Sequence, residues 1–538
     1  MRRFPAGVWL FGVLLAAVVS MPYLIAALSA PEGWLYNGAP LLPVGIQWDY
    51  ASYISRMWHG WRGQWDYHLM FTHEPHTGIS LVNGFYMPLG ALAALTRLSL
   101  PFVYHLARAA LTLCMVLALW TFTGRFFDQG AERWLCLILA TVMGGWGWML
   151  YFVAPGLTAT SSPIEFWLTD AFNFSGALYI THFVAAIILQ VVVFLTCEAW
   201  ARDGKGWRLI ALTLALAAES IIQPYVIVLL GPLLVLLTGY HILVTHLLTW
   251  KRASLLALPL TIHAGLILYQ YAAMRSDPVW TQFVAQNLTL SPLPAFYVMA
   301  YLPFILPAVA GWLSLRHTMD GRWLLPMAWV VLAALLIYAP LPTQRRYLIG
   351  LQTPLAVLAA WGWTRAILPR LRPSYRPLVT VVYIASGMIA PLLLIISNTT
   401  SAARPFKNLD VYYRPDDRRA FAWLEGDRAG FDDVVLTTFD QGRGSGGRLV
   451  VATGQRVFMG HGFETVDLDN KVAQIRQFYD PATPDDWRRD FLRRIGAVYV
   501  WYDDYAREIG SWDPAQASYL KPGFVSDIVT IYRVRLEP

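Results

Sequence analysis

The stretch Gly45–Gly78, GIQWDYASYISRMWHGWRGQWDYHLMFTHEPHTG, is the most polar part of the first two thirds of the chain and directly follows the first apolar segment. Read as a helix from Asp49, it lines up Tyr50, Tyr53, Ile54, Met57, Trp58, Trp61 and Trp65 at the three-and-four spacing of an amphipathic face. Arg56, His59 and Arg62 fall on the other side. Indoles on one face and cations on the other suit a helix lying along a membrane surface. Asp49 opens that helix. It has two readings: an N-cap accepting from unpaired backbone N–H groups, or a catalytic carboxylate at the water–lipid boundary.

Composition sets the setting. The chain has 538 residues, 57% apolar and 14% charged, with a formal net charge of +7 and a mean hydropathy of +0.45. A soluble fold of this size has no means of hiding that much apolar surface. Repeated apolar runs of about 20 residues predict a polytopic helical membrane protein. Dispersed arginines among membrane loops exclude nucleic acid as a partner and leave membrane lipids as the immediate surroundings. Cys114, Cys136 and Cys197 all lie inside apolar runs, so no disulfide framework is expected in the soluble parts.

Met1-Arg2-Arg3 before the run Gly7–Leu28 predicts a cytoplasmic N-terminus and an uncleaved anchor. The run 79–97 is broken by Pro88 and Gly90, and its helical part reaches only about 15 Å against the roughly 30 Å of a hydrocarbon core. It is expected to lie at the interface within a first outer loop, 30–100. Further spans are expected at 101–125, 133–154, 177–199, 207–222, 225–247, 254–273, 295–314, 322–340, 346–364 and 377–397. That makes about eleven transmembrane helices. Alternation then places the basic loops, such as Arg202/Lys205/Arg208 and Arg365/Arg370/Arg372/Arg376, on the cytoplasmic side. Counting 79–97 as a span would invert all of them. The expected organisation is a transmembrane domain, 1–397, and an extracytoplasmic soluble α/β domain, 398–538. Strands are predicted in that domain at 434–438, 456–459, 497–501 and 528–534, with helices at 417–424, 471–479 and 487–495. The glycine-rich run Arg443–Gly447 reads as a flexible loop.

Charges near spans are costly, at about 2.5–3.5 kcal/mol each at a helix centre, so each needs a reason. Gln344-Arg345-Arg346-Tyr347 sits on the side that should be poor in cations. Two guanidiniums there suit a phosphate clamp, with ordinary headgroup contact as the alternative. His105 and Arg108 lie near the outer end of the second span. Glu165, Asp170 and His182 fall in or beside the cation-free loop 155–176. Glu219 and Gln223 precede a break at Pro224, where a cavity can satisfy released backbone groups. His73-Glu74-Pro75-His76 offers metal-ligand types, but Pro75 prevents regular spacing. A divalent cation therefore stays an open question and no cofactor is assigned. Gly460-His461-Gly462-Phe463-Glu464-Thr465 follows a predicted strand, a ligand-binding position in many α/β domains and equally a place for a structural turn. All these groups are expected at one face of the membrane.

A first span, an acidic residue (Asp49) in a long outer loop with juxtamembrane helices, a helical core and an outward soluble domain together resemble the GT-C class of polytopic glycosyltransferases. That class includes protein mannosyltransferases, oligosaccharyltransferases and aminoarabinose transferases. The segments Gln344–Tyr347 and Gly460–Thr465 are similar to those of bacterial membrane proteins of this type. Many relatives carry two adjacent acids where this chain has Asp49-Tyr50. The resemblance implies inverting transfer of a sugar from a polyprenyl-phosphate donor to a lipid, glycan or protein acceptor at the outer face of the cell (inner) membrane. Asp49 would be the general base, with Glu74, Glu165 and Asp170 as alternative carboxylates. Arg345 and Arg346, with Gln344, Arg108 and His105, would hold the donor phosphate. His182, Glu219, Gln223, Tyr347, His461 and Glu464 would line the substrate cavity. A covalent aspartyl intermediate is the retaining alternative. The competing classes are a lipid transporter or flippase, which broken helices and intramembrane charge also fit, and a non-catalytic glycan-binding scaffold.

Overall fold

The computed structural model of the protein describes residues 4–82, 84–128, 130–402, 408–427 and 432–536. Met1, Arg2 and Arg3, which carry the expectation of a cytoplasmic N-terminus, lie outside the described residues. The chain divides into two compact units. The first comprises Met1–Ser20, Leu106–Gln270 and Leu288–Ile396; the second comprises Met21–His105, Tyr271–Asn287 and Ser397–Pro538.

Among the described residues seven helices are long and apolar enough to cross a membrane: Ala6–Leu28, Leu100–Thr123, Thr181–Asp203, Pro224–Leu243, Trp250–Arg275, Pro294–Leu315 and Pro373–Ala402. They present exposed leucines and aromatics such as Leu10, Phe102, Leu268 and Leu378. Aqueous surfaces rarely gather so many. The other four segments expected to span form shorter helices, Gly130–Thr141, Gly206–Ile222, Leu324–Leu336 and Gln352–Gly362.

The first unit explains why two of these are short. Every residue of Gln352–Gly362 is buried, so this helix is protein core, with Gly130–Thr141, Pro294–Leu315 and Leu324–Leu336 packed around it. The helix Gly130–Thr141 stops well short of the expected 154 because the backbone leaves it near the Gly144-Gly145 pair. There Gly144 N–H donates to Gly387 O at 2.7 Å and Trp146 N–H to Ala300 O at 3.3 Å. Gln352 Nε2 donates to Leu139 O (2.7 Å) and Met143 O (2.6 Å). Irregular backbone within an apolar unit survives where neighbouring helices satisfy it, as here.

The second unit is built around the helix Val44–Trp61, with Tyr86–Thr96 crossing it. The crossing is at backbone distance: a Cβ on Gly60 would lie 1.8 Å from Met87 O, and one on Gly90 would lie 1.9 Å from Met57 O. Tyr86–Thr96, of 11 residues, is about 16 Å long, too short to span. The C-terminal part carries a four-stranded sheet in the order Val434–Leu436, Ala497–Tyr502, Thr530–Val534, Leu520–Val525. The first pair is parallel and the others antiparallel. Helices Pro415–Asp427, Ser445–Thr453, Leu468–Tyr479 and Asp485–Arg494 accompany it, over a core that includes Phe458, Phe478, Phe491, Trp512 and Tyr532.

The segment 456–459, expected as a strand, forms only isolated bridges, because it pairs in two directions at once. Val457 N–H donates to Met70 O (2.9 Å) while Phe458 N–H donates to Val435 O (2.9 Å). It thus stitches the sheet to the first loop. The glycine-rich run is not a flexible loop. Ser445 opens a helix, and Gly446 is needed because a Cβ there would meet Met459 O at 1.9 Å.

Candidate active site

In the second unit Asp49 is half-buried in the body of the helix Val44–Trp61, which starts at Val44 with Pro43 at its N-cap. The expectation that Asp49 opens the helix is therefore corrected. Three or more residues precede it within the helix, so its carboxylate is not the cap of the unpaired N–H groups. Gly45, one turn earlier on the same stripe, is exposed, and a Cβ there would meet nothing within 4 Å.

The helix face carrying Arg56 and His59 is also corrected. Arg56 is 4% and His59 0% exposed, so the face that sequence periodicity assigns to solvent is covered by protein. Arg56 donates to Glu464 Oε1 at 3.0 Å. The same carboxylate accepts from Ser52 Oγ and, through Oε2, from Tyr67 Oη at 2.7 Å. Burial alone would raise the Glu464 pKa, but the charge of Arg56 and the hydrogen bonds from Ser52 and Tyr67 outweigh it, and the carboxyl sits below its usual value. His59 donates from Nδ1 to Ser55 O (2.8 Å) and accepts His68 N–H at Nε2 (3.3 Å). Burial holds its pKa down at about 4, so it is neutral.

The Gly460–Thr465 loop fixes this helix beside Asp49. His461 Nδ1 accepts the N–H groups of Phe463 and Glu464, both at 2.9 Å. Its proton must then be on Nε2, which donates to Trp48 O at 3.0 Å. Burial keeps the His461 pKa below its usual value, consistent with that single neutral tautomer. At the other end Trp58 Nε1 donates to Val451 O (3.0 Å), and Arg62 donates to Gly454 O (3.0 Å) and Thr453 O (2.8 Å). Tyr50 Oη donates to Asn37 O at 2.8 Å. Asp49 thus stands on an element whose position is fixed along its whole length, as a reacting group requires.

Glu74 and the two histidines near it do not form a metal site. Lys471 Nζ donates to Glu74 Oε2 at 2.8 Å. His76 engages both ring nitrogens, Nδ1 with Glu74 O (2.7 Å) and Nε2 with Leu69 N–H (2.8 Å). Burial raises the Glu74 carboxyl, yet Lys471 and His73 bring it below its usual value. Among the described residues no group of three His, Cys, Asp or Glu side chains converges to hold a metal ion. His105 Nε2 lies 2.9 Å from Gly38 O.

In the first unit the structure joins two sequence-predicted residues. Arg346 Nη1 donates to Asp170 Oδ1 at 3.0 Å, with Asp170 6% exposed. Phe183 lies under the Arg346 guanidinium at 5.5 Å and Trp167 under that of Arg345 at 5.3 Å. The turn Gln344–Leu348 is pinned by Gln344, whose Oε1 accepts Ser291 N–H (2.9 Å) and whose Nε2 donates to Ala339 O (2.8 Å). Tyr347 is buried against Thr343, 3.2 Å between hydroxyls. Glu165 is buried against Gly147, and neither carboxylate oxygen has a well-formed hydrogen bond. Burial pushes its pKa up to about 7, opposed in part by nearby backbone amides including those of Gly147 and Trp148. Arg108 is fully buried and donates to Val19 O (2.9 Å), Ala177 O (2.9 Å) and Leu178 O (3.3 Å). It joins the body of the helix Ala6–Leu28 to the end of the helix Asn173–Tyr179. Glu219 is buried with Gln190 Nε2 3.5 Å from Oε1, Gln223 N–H donates to Glu219 O (2.7 Å), and His182 packs edge-on to Phe183.

No protein-family model matches the sequence, and no curated protein matches it. Solved structures do. The oligosaccharyltransferase of Archaeoglobus fulgidus in its apo form superposes with a TM-score of 0.53 at 12% identity, over 96% of this chain and 72% of that one. ArnT from Cupriavidus metallidurans, crystallised with undecaprenyl phosphate, gives 0.51 at 14% identity over 98% of both chains. The arabinofuranosyltransferase AftD from Mycobacteria gives 0.55 at 14% identity, over 97% of this chain and 40% of that one. The chain has the GT-C fold. It is a polytopic helical membrane protein of that architecture. Sequence reasoning missed the Arg56–Glu464 pair and the His461–Trp48 contact. Their one sequence signal was the Gly460–Thr465 motif, whose partner helix is some 400 residues earlier.

Proposed function

We propose that this GT-C protein transfers a sugar from a polyprenyl-phosphate donor to an acceptor hydroxyl at the outer face of the cell membrane. The observation that carries the reading is the placement of Asp49, a half-buried carboxylate in mid-helix, relieved of any capping role. Asp49 accepts the acceptor's proton as its oxygen bonds the anomeric carbon. The bond from that carbon to the phosphate oxygen breaks, and configuration inverts. Arg345 and Arg346 compensate the charge growing on the departing lipid phosphate. Asp170 acts through Arg346 as a positioning residue. The architecture shared with ArnT over nearly the full length of both chains supports a lipid-phosphate donor. In this reading residues 398–538 are extracytoplasmic, supported by the bias of basic loops toward the cytoplasmic side.

The donor assignment is testable without knowing the sugar. Purified protein in nanodiscs should bind polyprenyl phosphate saturably, and Arg346→Ala should bind it at least tenfold more weakly, since a charged hydrogen bond is worth about 1.5–3 kcal/mol. Equal affinity in wild type, Arg345→Ala and Arg346→Ala would remove the phosphate clamp.

A further inference from the structure

In the first unit the helix Thr181–Asp203 carries Phe183, under Arg346, near one end and Glu198 near the other. The two lie about 22 Å apart along the axis. At the Glu198 end is a cavity of about 240 Å³ that takes no part in the chemistry above. Among the described lining residues Arg125, Arg202 and Arg322 face two carboxylates, Glu198 and Asp320. Arg125 and Arg202 share one oxygen, Glu198 Oε1, with Arg202 Nη2 at 2.7 Å. Arg322 Nε donates to both Asp320 oxygens, at 2.9 and 2.8 Å. Three guanidiniums therefore meet two carboxylates.

The wall also carries unused hydrogen-bonding capacity. Arg125 Nε and His241 Nε2 are sealed from solvent without a hydrogen-bond partner. His241 is 4% exposed, with Nδ1 3.2 Å from Thr245 Oγ1. Gly321 lets Tyr240 close the rim, since a Cβ there would lie 1.6 Å from Tyr240 Oη. Of the two sealed atoms Arg125 Nε is a donor, and an excess cation beside an unsatisfied donor favours an anion that completes both. Guanidiniums match phosphate oxygens with paired donors. Phe122, Phe194 and Leu237 give the rest of the lining an apolar side.

We propose that this cavity binds a phosphate-bearing anion, held among Arg125, Arg202 and Arg322. The site is independent of the glycosyl-transfer reading and stands if that reading falls. The shared chemistry is the phosphate group, supplied by an anionic lipid headgroup or by free phosphate. Two substitutions leave the fold supported: Arg202→Gln, because Glu198 keeps Arg125, and Arg322→Gln, because that side chain is 44% exposed. The full-length protein is assayed with radiolabelled inorganic phosphate by equilibrium dialysis. It is also examined by native mass spectrometry from nanodiscs of phosphatidylglycerol or phosphatidylcholine. Saturable phosphate binding without lipid preference identifies free phosphate, and retained phosphatidylglycerol identifies a headgroup. In either case each variant should bind at least tenfold more weakly with an unchanged melting temperature. Absence of both signals in wild type, or undiminished binding in both variants, overturns the site.

Discussion

Glu464 is the residue on which the placement of Asp49 most depends, because it neutralises Arg56 inside the second unit. Removing one partner of a buried pair leaves the other charge uncompensated, a loss of about 3–5 kcal/mol. Glu464→Ala should therefore lower the melting temperature sharply. The pH dependence follows from the same groups. The folded pKa of Glu464 lies below 4.5, and that of His461 below 6.5. In each case the unfolded chain binds more protons between the folded and unfolded values, so stability rises with pH there. Stability should be full above about pH 6.5, fall first as the unfolded-state histidine protonates, and fall further below about pH 4.5. Thermal melts from pH 4 to 8 check this; a flat profile would mean that these groups have ordinary pKa values when folded. Sequence alone flagged His461 and Glu464 as a motif but gave them no partner. Helical periodicity reports which residues share a face and is silent on whether solvent or protein covers it.

The helix pair Val44–Trp61 and Tyr86–Thr96 tests the fold at the level of elements. Glycine inside a helix costs about 1 kcal/mol relative to alanine, so on propensity alone Gly60→Ala or Gly90→Ala should stabilise. The contact decides otherwise. The new Cβ would press on a backbone carbonyl at under 2 Å, which side-chain rotation cannot relieve. Overpacking costs about 1–3 kcal/mol and occasionally more. Both substitutions should lower the melting temperature; an increase in either would show that the helices can part freely. The shortness of Tyr86–Thr96 was legible, because Pro88 and Gly90 break the run. The shortness of Gln352–Gly362 was not, since an apolar run reads alike whether it faces lipid or is wrapped by other helices. The helix Ser445–Thr453 was missed for a related reason. Its glycines serve close approach to Met459 and Gly460 and leave the backbone ordered.

At the scale of the molecule, the basic loops and the short first-loop helix together predict which parts face which side. Single cysteines introduced at exposed positions within 481–490 should react with an impermeant maleimide on intact cells. Positions within 370–376 should react only after permeabilisation. The reverse pattern would invert the topology and remove Asp49 from the outer face. The GT-C architecture was legible from the order of features, namely a first apolar helix, an acidic loop with short helices, a helical core and a C-terminal α/β part. The roles of single residues were less so. Arg108 had a charge suited to phosphate, yet its guanidinium secures three backbone carbonyls.

The central claim is that Asp49 does chemistry. Asn is close to Asp in size, and no cap is lost at mid-helix, so Asp49→Asn should fold and bind polyprenyl phosphate as wild type does. It accepts no proton near neutral pH, and losing a general base slows reaction by about 10²–10⁴-fold. The measurement is release of free polyprenyl phosphate from polyprenyl-phosphate-linked sugars by protein in nanodiscs, with a membrane extract supplying the acceptor. The account predicts release by wild type and a loss of at least a hundredfold in Asp49→Asn, with lipid-phosphate binding unchanged. Release by Asp49→Asn at the wild-type rate would contradict it.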